Sequence, residues 1–137
     1  MREIKFRLVC YKMIAGYEKW YPGVFTKDGG REASPQWLYS KDGKFWNPDY
    51  IFHTQKDQFV GLFDKNGIEI YEGDILRILD EEEYQGDAVI IAVEFKEGCF
   101  VDSYFHWTLA CIKEYKREVI GNIYENPELL KEERLND

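Results

Sequence analysis

A chain of 137 residues, 45% hydrophobic and 32% charged, has the make-up of a soluble globular protein: one domain, or one domain with a small appendage. Such a chain buries roughly 70% of its unfolded surface and folds without a staple. The formal charge of −8 argues against non-specific nucleic-acid binding, which needs lysine and arginine to displace counterions from phosphate.

The ordinary role of that charge is solubility; the sharper one is attraction of a basic partner, including by DNA mimicry. Three cysteines, at positions 10, 99 and 111, are odd in number and show no CxxC spacing, so a reduced, cytoplasmic setting is expected. Residues 1–13 flank a short apolar run with charges on both sides, which fits neither a signal peptide nor a membrane span. Ten Tyr, nine Phe and four Trp tilt the chain toward strands.

In chain order, residues 4–11 form the first expected strand, with Ile4, Phe6, Leu8 and Cys10 at period two. A second apolar run within 14–27 breaks near Pro22-Gly23, and the cluster Lys27-Asp28-Gly29-Gly30 opens a loop running to Pro35. Residues 36–39 and 44–46 read as a small hairpin around Lys41-Asp42-Gly43. The strongest hairpin lies at 58–71, where Asp64-Lys65-Asn66-Gly67 supplies the positive-φ turn. Glu72-Gly73-Asp74 is a kink or bulge before a strand at 75–79. Residues 80–87 read as an acidic exposed loop without calcium-loop spacing. Strands follow at 88–95, 99–109 and 118–124, a meander expected to close into a small barrel. Asn126, Pro127 and Glu128 are the cap, first position and first-turn acid of a short C-terminal helix.

Chemistry is sparse. His106 alternates with Phe105 and Trp107, which places it on the outer face of its strand, and His53 stands in a broken region. A thiol nucleophile or a zinc site would need Cys99, Cys111, His53 and His106 to converge, and their spacing does not require it. Asp74 suits a turn-fixing carboxylate better than a general base. No P-loop, dinucleotide fingerprint, HExxH or GxSxG is present. The reading therefore assigns no catalytic, cofactor-binding or metal-binding residue and no cofactor. Tyr17, Trp20, Tyr21, Phe25, Trp37, Tyr39, Phe45, Trp46, Tyr50 and Phe52 crowd the first half. Any that are exposed together would mark a protein contact or self-association surface, or, less well for want of interleaved basic charge, a stacking platform for bases.

Three segments carry a family resemblance: residues 2–7 (REIKFR), the motif at 58–74 with Ile75 after it, and residues 118–130 (EVIGNIYENPELL). In this order they resemble the YopX family of phage and prophage proteins. The resemblance implies a mainly β fold, an SH3-like barrel in the later half, a phage or prophage gene, and action in the bacterial cytoplasm. It implies no activity and no catalytic residues. Segment 27–57 departs from the pattern and reads as variable.

The resulting expectation is a mainly β protein with an N-terminal β extension (1–57), an SH3-like barrel (58–126) and a short helical tail (127–137). It works by binding a host or phage protein without catalysis, and it forms a homo-oligomer without membrane contact. A nucleic-acid-associated or DNA-mimicking factor is the alternative, and a small enzyme the third. Gly61, Gly67, Gly73 and Gly121 are expected to serve turns, bulges or close packing.

Overall fold

The computed structural model describes residues 3–79, 88–96, 98–102 and 108–130. The chain is mainly β and divides into two compact units, Met1–Gln58 and Phe59–Asp137.

In the first unit, strands β1 (Lys5–Cys10), β2 (Met13–Tyr21) and β5 (Gln36–Ser40) form an antiparallel sheet in the order β5-β2-β1. The first residues of β6 (Gln55–Phe63) add to the free side of β1, with Phe6 opposite Gln58 and Leu8 opposite Lys56. The β1–β2 turn has no glycine: Tyr11 and Lys12 themselves adopt φ of 48° and 71°. Sequence reasoning carried the first strand through Tyr11, because neither residue is a turn former. The loop expected between Lys27 and Pro35 instead includes one arm of a small ribbon, β3 (Val24–Phe25) paired with β4 (Arg31–Ala33).

The hairpin expected around Gly43 keeps its turn, with Gly43 at φ 80°, but residues 44–46 form no strand. Asp42 Oδ1 accepts the N–H groups of Lys44 and Phe45 at 2.8 and 3.1 Å, and Ser40 Oγ accepts that of Gly43. These side chains claim the donors a second arm would need. One backbone bridge remains, Tyr39 to Asn47.

The second unit begins as β6 pairs with β7 (Glu69–Tyr71) across the Asp64–Gly67 turn. Strands β8 (Asp74–Leu79), β9 (Ala88–Lys96), β10 (Cys99–Asp102) and β11 (Arg117–Asn122) make an antiparallel sheet in the order β10-β9-β8-β11. Its core is Val60, Ile70, Leu76, Ile78, Ile91, Val93 and Leu109, with Leu62, Phe100 and Val119 packed against it. Burying each such side chain stabilises the fold by about 1.5–3 kcal/mol.

Among the described residues this sheet is open, which corrects the expected closed barrel. The outer side of β11 is taken by a turn: Lys65 N–H donates to Arg117 O at 2.9 Å, and Val119 N–H donates to the Asp64 carboxylate. Of the strand expected over 99–109, Cys99–Asp102 is strand, Leu109–Cys111 is a single 3-10 turn and residues 103–107 lie outside the described ones; Glu114–Lys116 is a second 3-10 turn. The acidic segment 80–87 and His106 lie outside the described residues. Residues 128–130 are helical. Asn126 Oδ1, however, faces the N–H of Asn122 at 3.3 Å.

Candidate functional site

The motif at 58–74 resolves into two carboxylate clamps, both built by local turns. Asp64 is fully buried, and its Oδ1 accepts the N–H groups of Asn66 and Ile68 at 2.8 and 2.9 Å. Its Oδ2 takes Val119 N–H at 3.0 Å. Asp74, 2% exposed, accepts Tyr71 N–H at 2.8 Å, and Gly73 makes the bend at φ 89°. This is the turn-fixing role that the sequence suggested for Asp74.

Arg117 lies beside the Asp64 clamp. Its Nε donates to Phe63 O at 2.7 Å and its terminal nitrogen to Ile112 O at 2.6 Å. Burial pulls the guanidinium below its ordinary pKa, and the Glu114 and Asp64 charges pull it back up. On the surface, the hydrogen bond from Lys65 leads in holding Glu118 below the usual carboxylate range, with Arg77 adding to it. These groups secure turns and strand edges.

The first unit has a different character. Strand register puts Phe6, Glu18, Trp20, Trp37, Tyr39 and Lys56 on one sheet face. Glu18 is 4% exposed, and Lys56 Nζ meets its carboxylate at 3.0 Å. Lys56 also lies over the rings of Phe6 and Trp37, at 4.5 and 5.5 Å. Trp20 and Trp37 meet edge to face at 5.2 Å. Burial first, and then the hydrogen bond to and charge of Glu18, push the Tyr39 phenol up to about 12. On the opposite face the buried pair Arg7–Asp57 meets at 3.3 Å. Glu18 lay unremarked between Tyr17 and Lys19, although period two from Trp20 places it on the aromatic face.

Large apolar side chains remain exposed at the sheet end where β1 turns into β2. Tyr11, within the positive-φ turn, and Met13, just after it, are 76% and 71% exposed. Tyr11 N–H reaches Thr54 Oγ1 at 3.2 Å, and Thr54 N–H reaches Val9 O, so the stretch carrying Tyr50 and Phe52 runs alongside. Those two rings are 63% and 60% exposed, and Tyr50 packs edge to face on Tyr39 at 5.3 Å. Beyond Ser40, which pairs with Tyr17, the Gly43 turn lies against the Tyr17 ring and Phe45 is exposed.

Of the cysteine and histidine candidates, His106 lies outside the described residues. Cys99 and Cys111 are exposed free thiols and Cys10 is half-buried. His53 directs Nδ1 at Ile51 O, 2.9 Å away, with its ring against Tyr50. Among the described residues no group of three or more His, Cys, Asp or Glu is placed to hold a metal ion. Among them, too, no helix is long and apolar enough to cross a membrane.

One property of the sequence gains meaning from the division into units. Residues 1–58 hold ten Lys and Arg against seven Asp and Glu, a net +3. Residues 59–137 hold eight against nineteen, a net −11. The whole-chain value of −8 conceals this split.

A mainly β protein whose buried Asp64 and Asp74 carboxylates serve its own backbone, and whose first unit exposes aromatic rings, defines a structural class and leaves the activity open. Within that class the chain belongs to the YopX family, whose model, described as YopX protein, matches residues 19–131. A crystal structure of protein EF1440 from Enterococcus faecalis is similar to it, with 22% identity and a TM-score of 0.46 over 94% of this chain and 96% of that one. No curated protein matches the chain.

Proposed function

We propose that this YopX-family chain is a phage- or prophage-encoded accessory protein that works in the bacterial cytoplasm by binding another protein, without catalysis. The observation that carries the reading is the exposed apolar end of the first unit, Tyr11, Met13, Phe45, Tyr50 and Phe52. Large apolar side chains left open together mark contact surfaces, and tyrosine and phenylalanine are enriched in them. Tyr11 and Lys12 hold the tip in a backbone conformation that costs about 1–2 kcal/mol per residue, and such strain concentrates at working surfaces.

Base stacking by the other aromatic face fits less well. Lys56 covers Phe6 and Trp37, Lys19 covers Trp46 at 4.4 Å, and the Lys56 charge is spent on Glu18. Those ring faces and that ammonium are therefore engaged before any nucleotide arrives.

The test is affinity purification of the tagged chain from phage-infected or prophage-induced cells, with and without nuclease. It is run beside the triple variant Tyr11→Ala, Tyr50→Ala, Phe52→Ala. A stoichiometric protein that survives nuclease and disappears with the variant is the expected result. Recovery that nuclease abolishes, or that the variant leaves intact, overturns the reading.

A further inference from the structure

We infer that Glu18, Phe6 and Trp37 form an ammonium-binding cage, that Lys56 fills it as an internal ligand, and that an alkylammonium group from outside the chain takes its place. The cage lies within the first unit and uses none of Tyr11, Met13, Phe45, Tyr50 and Phe52. It therefore goes beyond the binding reading above.

Strand register builds the cage. Phe6 stands opposite Glu18, and Glu18 opposite Tyr39, while Trp20 pairs with Trp37 two positions along. Their side chains share one sheet face. Glu18 is a carboxylate only 4% exposed, and burying such a charge is costly without a partner. The Tyr39 phenol hydrogen-bonds to it and so helps to fix its position. Trp20 packs edge to face on Trp37, and the Phe6 ring lies 6.2 Å from the Trp37 ring. All these groups sit on β1, β2 and β5. The cation alone comes from β6.

Lys56 shows what the cage takes. Its Nζ is 3.0 Å from Glu18 Oε1, 4.5 Å from the Phe6 ring centre and 5.5 Å from that of Trp37. One primary ammonium thus makes a charged hydrogen bond and two cation–π contacts. The Lys56 side chain is 43% exposed, against 5% for Glu18. Recognition lies in the buried cage rather than in the tether, and rotation about the Lys56 side-chain bonds empties it without moving a strand. Tethered in this way, Lys56 competes with an outside cation through its high effective concentration. The Glu18 contact requires an N–H donor, so the ligand is an ammonium that keeps at least one N–H. A free alkylamine and the lysine side chain of another protein both carry that group.

The experiment titrates the full chain with propylammonium at constant ionic strength, followed by the Trp37 indole N–H resonance in NMR spectra. Propylammonium restores what Lys56→Ala removes. The wild-type chain should bind it weakly, and the Lys56→Ala chain about fivefold or more tightly, because the internal competitor is gone. Tetramethylammonium, which has no N–H, should bind the Lys56→Ala chain more weakly than propylammonium does. Adding Glu18→Gln should abolish binding. A blocked tripeptide with lysine at its centre separates the sources: tighter binding than propylammonium assigns the site to a protein lysine, weaker binding to a free amine. An unmoved Trp37 resonance in either chain overturns the inference, as does binding that survives Glu18→Gln or favours tetramethylammonium. The apolar-end reading stands or falls separately, on its own triple variant. Circular dichroism checks each fold, and Lys56→Met, which keeps an apolar stem without the charge, replaces the alanine variant if that one unfolds.

Discussion

The carboxylate of Asp64 accepts the backbone N–H of Val119 at 3.0 Å, joining a hairpin turn to a strand 55 positions later. The same carboxylate holds its own turn through Asn66 and Ile68. One buried side chain therefore fixes local geometry and long-range register together. A hydrogen bond to a charged group contributes about 1.5–3 kcal/mol, and an orphaned buried donor costs a comparable amount.

Asp64→Ala is expected to destabilise the second unit by about 3–5 kcal/mol, and Asp64→Asn by less because its amide oxygen still accepts. Urea unfolding followed by circular dichroism measures both. A loss under about 1 kcal/mol for the alanine variant would mean that water replaces the clamp.

The Lys56–Glu18 pair should show strong coupling. Truncating Lys56 to Met strands a buried carboxylate, whereas changing Glu18 to Gln at the same time removes that charge. The double-mutant cycle is expected to give about 1–2 kcal/mol of interaction, reduced because the Lys56 side chain is 43% exposed. Additive single effects would show that the contact contributes nothing to stability.

Tyr39 predicts alkaline behaviour. Its folded pKa of about 12 exceeds the ordinary 10, so the folded chain holds the phenolic proton more tightly than the unfolded chain does. The resulting stability is fully present below pH 10 and is lost as pH rises through 12. Tyr39→Phe should flatten the stability profile in that window, and absorbance titration should show one tyrosine ionising late. A titration without that late phase would refute the assignment.

Gly121 is required by a neighbour. A Cβ there would stand 2.5 Å from Asn126 Oδ1 and 2.9 Å from its Cβ. Gly121→Ala should therefore destabilise by about 1–3 kcal/mol, and adding Asn126→Ala should recover part of that loss. Thermal unfolding of the single and double variants decides it.

Lys12→Gly relieves the positive φ at the β1–β2 tip. The released strain exceeds the added freedom of the unfolded chain, for a net gain of about 0.5 kcal/mol. Equal or lower stability in denaturant would show that Lys12 makes a contact worth more than its strain.

Much of this molecule was legible in the residues. Asp64-Lys65-Asn66-Gly67 announced its turn because Asn-Gly accepts positive φ, and Glu72-Gly73-Asp74 announced the bend before β8. Period-two patterning located β1, and apolar runs between turn signals located β8 and β9, since both are local properties of sequence. What it could not supply were relations between distant residues. The Tyr11–Lys12 turn has no local signal; it is held by the strands it joins and by Thr54. The second arm at 44–46 was lost to Asp42 and Ser40, whose oxygens compete for the same donors. The meaning of Asp64 depended on Val119, and that of Glu18 on Lys56 and Tyr39. Sequence alone determined composition, turn chemistry and the alternation of strand faces, because each is decided by neighbours in the chain. Tertiary structure alone decided which carboxylates became clamps, where the sheet of the second unit stays open among the described residues, and which aromatic rings remain in water, because burial and hydrogen-bond competition are settled only when remote segments meet.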